Sequence, residues 1–164
     1  MNKYLSIEEL ENSKNKTLNF KVNDYIEGLD LVSPLDANLT ATSLGEYIQI
    51  KGHVVANVKL ICDFCLEEYE SSLEFDIDEL YIKNSLFTNP DIKGQEFEIK
   101  DGQFVTDLNG EMDIDIYDLL YQSVILNYPN KKVCGINCKG KDFLSEDEIS
   151  DPRLEVFKDF QINE

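Results

Sequence analysis

The chain has 164 residues, 42 % of them hydrophobic, and carries 33 acidic against 15 basic residues for a formal net charge of −18. That length supports one domain, 1–164, with a real core, and the apolar content excludes a disordered chain. The charge excludes a surface that grips nucleic acid all over, since phosphates would be repelled, and it favours a basic protein partner.

No apolar run approaches a membrane span, and Met1-Asn2-Lys3-Tyr4-Leu5-Ser6 lacks the basic region and apolar core of a signal peptide. A cytoplasmic protein with reduced cysteines is therefore expected.

Ser6 and Glu9 have capping-box spacing, which predicts a short helix through Leu10. Thr17 to Val22 reads as a strand with Leu18, Phe20 and Val22 on one face. Leu35, Ala37, Leu39 and Ala41 alternate with polar residues and predict another, which Ser43 to Glu46 turns into a third. From Tyr47 to Cys62 the even positions are apolar or small (Ile48, Ile50, Gly52, Val54, Ala56, Val58, Leu60) and the odd ones mostly polar. The return arm sets Tyr69, Ser71, Leu73, Phe75 and Ile77 against Glu68, Glu70, Glu74, Asp76 and Asp78. This period of two predicts a long hairpin over 46–82 with one buried face and one acidic face.

Beyond it, 84–93 reads as a loop, and short strands are expected near 96–99 and 103–105 around Lys100-Asp101-Gly102. Asp115 is a candidate N-cap for a helix that Pro129 ends. Ile116, Leu119, Leu120 and Val124 form its stripe, widened by Tyr117, Tyr121 and Ile125, so burial nearly all round is expected. Residues 130–150 hold the basic cluster Lys131, Lys132, Lys139 and Lys141 and an acidic linker; Asp151-Pro152 then caps a closing helix over 151–160. The fold class is α+β: a curved antiparallel sheet, a meander around the central hairpin, with flanking helices.

Chemistry concentrates in two cysteine pairs, Cys62 with Cys65 at the hairpin tip and Cys134 with Cys138 beyond Pro129. Four thiolates are the complement of a structural zinc site, and the neighbouring lysines would offset the surplus negative charge. The plainer reading is buried or free thiols. Redox chemistry at Cys62 and Cys65 fits less well, because such pairs gain thiolate character at a helix N-terminus and this one lies between strands. His53 is the sole histidine and lies on a polar strand face; neither a phosphate-binding glycine loop nor a nucleophile motif is present.

The order and spacing of several segments resemble the YceD family, the large ribosomal RNA subunit accumulation proteins. They are Leu5 to Leu10, Ile26-Glu27-Gly28-Leu29, Cys62-Asp63-Phe64-Cys65-Leu66-Glu67, Ile114-Asp115-Ile116 through Pro129, and Asp151-Pro152-Arg153-Leu154 through Phe157. The chain departs from the family pattern at Phe64, where many members have Arg, and in lacking a further cysteine pair after Gly140. The resemblance implies accumulation of large-subunit ribosomal RNA, hence a role in large-subunit assembly; the residues themselves suggest a non-enzymatic factor, with no catalytic residues assigned. The alternative is an enzyme of RNA processing or thiol redox chemistry. For a partner, the acidic face Glu68, Glu70, Glu74, Asp76 and Asp78 suits a basic large-subunit protein. Lys131, Lys132, Lys139 and Lys141 are the alternative, as RNA contacts; each charge run also reads as a solvated surface.

Overall fold

The computed structural model of the chain describes residues 3–84, 96–100 and 103–140, with side chains over 3–84 and 105–140. The expected closing helix, the acidic linker and Lys141 lie outside the described residues, as does most of the loop predicted at 84–93.

The first turn is a short strand β1 (Tyr4–Ser6) leading into helix α1 (Ile7–Asn12). Ser6 is the N-cap of α1, but its side chain makes no capping hydrogen bond, so the expected capping box does not close. Strands β2 (Thr17–Asp24), β3 (Leu35–Leu44), β4 (Tyr47–Ile61) and β5 (Glu68–Ile82) then form an antiparallel meander. The hairpin register pairs Tyr47 with Ile82 at one end and Ile61 with Glu68 at the other.

The even positions of β4, Ile48 and Ile50 through Val54, Ala56, Val58 and Leu60, are buried, while Lys51, Asn57 and Lys59 are exposed. Leu73 and Ile77 of β5 join them, with Phe75 half-buried against the same core. One face of a two-sided ribbon has been driven out of water, and each aliphatic side chain so buried contributes about 1.5–3 kcal/mol.

The sheet is not wholly antiparallel. Strands β6 (Glu96–Lys100) and β7 (Gln103–Asp107) form the expected hairpin, but β7 joins β5 in parallel, Tyr81 opposite Thr106. The six-stranded order is β2-β3-β4-β5-β7-β6. The chain reaches β7 after running back through β6, and two sign changes of direction leave β7 aligned with β5. A separate two-stranded sheet pairs β1 with β8 (Asp113–Asp115).

Helix α2 (Ile116–Leu126) follows β8 directly. Asp115 caps it, its carboxylate accepting from the backbone N–H of Tyr117 and Asp118 at 3.0 Å each. Its stripe of Ile116, Leu119, Leu120 and Val124 enters the common core with the buried face of β4. Burial nearly all round does not occur: Tyr121 and Ile125 are exposed and Leu126 is 82 % exposed. One layer of sheet covers only one side of the helix, and the residues that widen the stripe fall beyond its edge. Among the described residues no helix is long and apolar enough to cross a membrane.

The upper half of β4 is bordered by a different segment. Val32 donates to the Asn57 carbonyl at 2.8 Å and Lys59 to the Asp30 carbonyl at 2.7 Å, around a Leu31–Val58 bridge. These bonds satisfy the β4 edge beyond the end of β3, and so carry an ordered strand up to the tip.

Candidate metal centre at the hairpin tip

The tip is built by a tight turn between β4 and β5. Cys62 donates its backbone N–H to the Glu67 carbonyl at 2.9 Å, and Leu66 donates to the Cys62 carbonyl at 3.0 Å. Leu66 closes the turn at φ 60°, the left-handed region that a Cβ resists. The segment after Pro129 docks on this turn through a reciprocal pair. Asp63 donates its N–H to the Lys132 carbonyl at 2.7 Å, and the Asp63 carboxylate accepts from the Lys132 N–H at 2.8 Å.

That docking brings all four cysteines together. Their sulfurs lie within 4.8 Å of one another, with Cys62 to Cys138 at 3.6 Å and Cys65 to Cys134 at 3.7 Å. The thiols are free; a disulfide needs sulfurs about 2 Å apart. Zinc–thiolate bonds of about 2.3 Å in a tetrahedron place the sulfurs about 3.8 Å apart, which is the spacing found across the two pairs. The donor set and its size therefore fit a tetrahedral soft divalent cation.

The electrostatics suit an anion at Cys62. Its thiol is held down at about 6, because backbone N–H groups of Cys65, Cys134 and Phe64 point at the sulfur and outweigh its burial. The Cys134 N–H lies 3.5 Å from it. Cys134 is pushed up to about 12 by the adjacent Cys138 and Cys65 sulfurs. At Cys65 the Glu67 N–H favours the thiolate, yet burial and the neighbouring Cys62 and Cys138 sulfurs raise it overall. Sulfurs this close cannot all be anionic by themselves; a cation between them removes that conflict.

The lysines split. Lys131 and Lys139 are exposed, and Lys132 is half-buried with its ammonium 5.8 Å from the Tyr128 ring centroid. Glu68, Glu70, Glu74, Asp76 and Asp78 are all exposed on one face of β5, as alternation requires. Four of them meet basic side chains across the hairpin: Lys59 to Glu68 at 3.7 Å, His53 to Glu74 at 3.2 Å and to Asp76 at 2.8 Å, and Lys51 to Asp78 at 3.2 Å. The Asp76 hydrogen bond raises the His53 pKa against the cost of desolvation, with the Asp76 and Glu74 charges adding to the rise.

Two features were missed from the sequence. The Asp63–Lys132 pair has no local signal, since its partners meet only in the fold. Phe64, Leu66 and Ile136 protrude beside the cysteines at 51 %, 48 % and 105 % exposure. Their signal was present: apolar residues inside or directly beside a two- or three-residue loop between close cysteines have no core to enter.

No curated protein and no solved structure matches the chain. The family described as Large ribosomal RNA subunit accumulation protein YceD matches residues 50–161, which takes in the hairpin, the cysteine quartet and α2. With well over half of its length matched and the tip built as the sequence pattern required, the chain belongs to the YceD family.

Proposed function

We propose that the protein is a non-enzymatic factor in large ribosomal subunit biogenesis, supporting accumulation of large-subunit ribosomal RNA, and that Cys62, Cys65, Cys134 and Cys138 hold one structural zinc ion. Family membership supports the first part, and the four-sulfur cluster carries the second. Zinc held there cross-links the hairpin tip to the segment after Pro129. With four protein sulfurs as ligands no coordination position is open for a water or substrate, which is the pattern of a structural rather than a catalytic site. Sulfur contacts of 3.6 and 3.7 Å run between the two segments, which favours a shared ion over a dithiol redox pair confined to Cys62-Asp63-Phe64-Cys65.

The acidic face of β5 is the surface we assign to a basic large-subunit protein in the cytoplasm. Five carboxylates there oppose two lysines and one histidine, so attraction for a polycation persists after internal pairing. Charge reversal of Glu68, Glu70, Glu74, Asp76 and Asp78 to lysine should abolish copurification of that protein.

Depletion of the protein tests the assembly role. The ratio of large- to small-subunit ribosomal RNA should fall; an unchanged ratio overturns it. Rescue by Cys62→Ser with Cys65→Ser would further remove any requirement for the cysteine chemistry.

A further inference from the structure

The lysines of this protein are unevenly committed. Lys3, Lys16, Lys21, Lys51, Lys59 and Lys83 each pair with a carboxylate. Among the lysines with described side chains, those outside any ion pair are Lys14, Lys131, Lys132 and Lys139. Three of these four surround the cysteine tip. In a chain of net −18, with carboxylates available almost everywhere, unpaired cations gathered at one end mark a place kept for an external anion.

The same end exposes apolar surface. Phe64, Leu66 and Ile136 each lie within two residues of a cysteine whose sulfur belongs to the cluster, so all three stand around one rigid knot. The Lys132 backbone meets the turn at Asp63, next to Phe64, and Gly140, the neighbour of Lys139, approaches Phe64 itself. There a Cβ at Gly140 would lie 3.6 Å from the Phe64 carbonyl oxygen and 4.0 Å from its Cβ. The Asp63 carboxylate is held by the Lys132 N–H and, with Glu67, supplies the opposing charge of the turn against these three lysines. An exposed aromatic and aliphatic platform beside lysines that make no ion pair fits an unstacked base flanked by phosphates.

We infer that the cysteine tip binds single-stranded RNA, with bases against Phe64, Leu66 and Ile136 and phosphates on Lys131, Lys132 and Lys139. The inference rests on the assembly reading only for where such RNA is met. It gives the molecule two binding surfaces: an acidic sheet face for a polycation and a lysine-bearing tip for a polyanion.

The test is fluorescence anisotropy of a labelled oligouridine of about ten nucleotides, titrated with the full chain purified without chelator. Between about 50 and 200 mM salt, log affinity should fall against log salt with a slope near −2, about 0.7 for each of three lysines. Lys131→Ala with Lys139→Ala should weaken binding and make the slope shallower by about 1.4. Phe64→Ala should weaken binding about tenfold and leave the slope unchanged. Lys14→Ala should bind as the parent does.

Absence of binding by the parent chain at the lowest salt overturns the inference. Parental affinity in the double lysine variant does so as well. If that variant loses bound metal while the parent shows no RNA affinity, the lysines serve only to balance the thiolates. Loss of large-subunit RNA on depletion, combined with no oligouridine binding, would leave the assembly role standing and remove this site alone.

Discussion

Gly52→Ala should destabilise the fold severely, although the change adds one methyl group. Gly52 occupies one of the even, inward positions of β4, opposite Leu39 of β3 and Ile77 of β5. A Cβ there would lie 2.3 Å from the Asn38 carbonyl oxygen, 2.5 Å from Leu39 Cδ2 and 3.0 Å from Leu39 Cα. Rotation of the leucine relieves only one of these contacts. The carbonyl belongs to the backbone of β3, which is hydrogen-bonded on both edges, so relief needs roughly 1 Å of movement between two central strands. Overpacking of this kind costs up to about 3 kcal/mol, and replacing a strand glycine recovers about 0.5–1 kcal/mol of it. The net loss of up to about 2–2.5 kcal/mol should lower Tm by roughly 4–10 °C in a chain of this size. Thermal unfolding followed by far-UV circular dichroism measures it. Gly45→Ala is the control: it has φ +79° but nothing within 4 Å of its Cβ, so it reports backbone strain without crowding. A Gly52→Ala midpoint within about 2 °C of the parent would refute the close-approach argument.

Asp115→Ala removes the two capping bonds to Tyr117 and Asp118 and should cost about 1 kcal/mol in chemical denaturation. Asp115→Asn, which keeps an acceptor, should recover much of that, and equal losses would mean that the Lys3 pairing matters more. Hydrogen bonds from Lys16, Lys83 and Ser43 hold the Glu11 carboxyl at about 2, against an ordinary 4.5. The lowered value means that its contribution is present in full above pH 4.5 and lost as pH falls toward 2. The parent should therefore exceed Glu11→Gln in stability at neutral pH, and the two should converge over that window in acid unfolding curves.

The hairpin was legible because a period of two over so many residues admits one burial solution. Its predicted limits of 46 and 82 sit at the register pair Tyr47–Ile82. The cysteine quartet was legible as chemistry before it was geometry: reduced thiols in two close pairs have few joint uses, even with the chain from Leu66 to Val133 between them. What was hidden had no periodic or compositional trace. Strands β1 and β8 have three residues each, too short to show alternation. The parallel β5–β7 pairing depends on how many times the chain reverses, which no residue records. Lys83 joins Glu11 of α1 to Ser43 and the Gly45 carbonyl at the β3–β4 turn, a clamp between segments distant in sequence. The expected near-complete burial of α2 failed at Ile125 and Leu126 because apolar width on a helix does not fix how much sheet lies over it.

The cysteine cluster is the claim on which the tip depends, and its metal content tests it most directly. Protein purified without chelator should contain one zinc per chain by elemental analysis. Cys62→Ser with Cys134→Ser, which removes one ligand from each pair, should abolish retention. Less than about one-tenth zinc per chain in the parent, under conditions where a structural site stays filled, would contradict it.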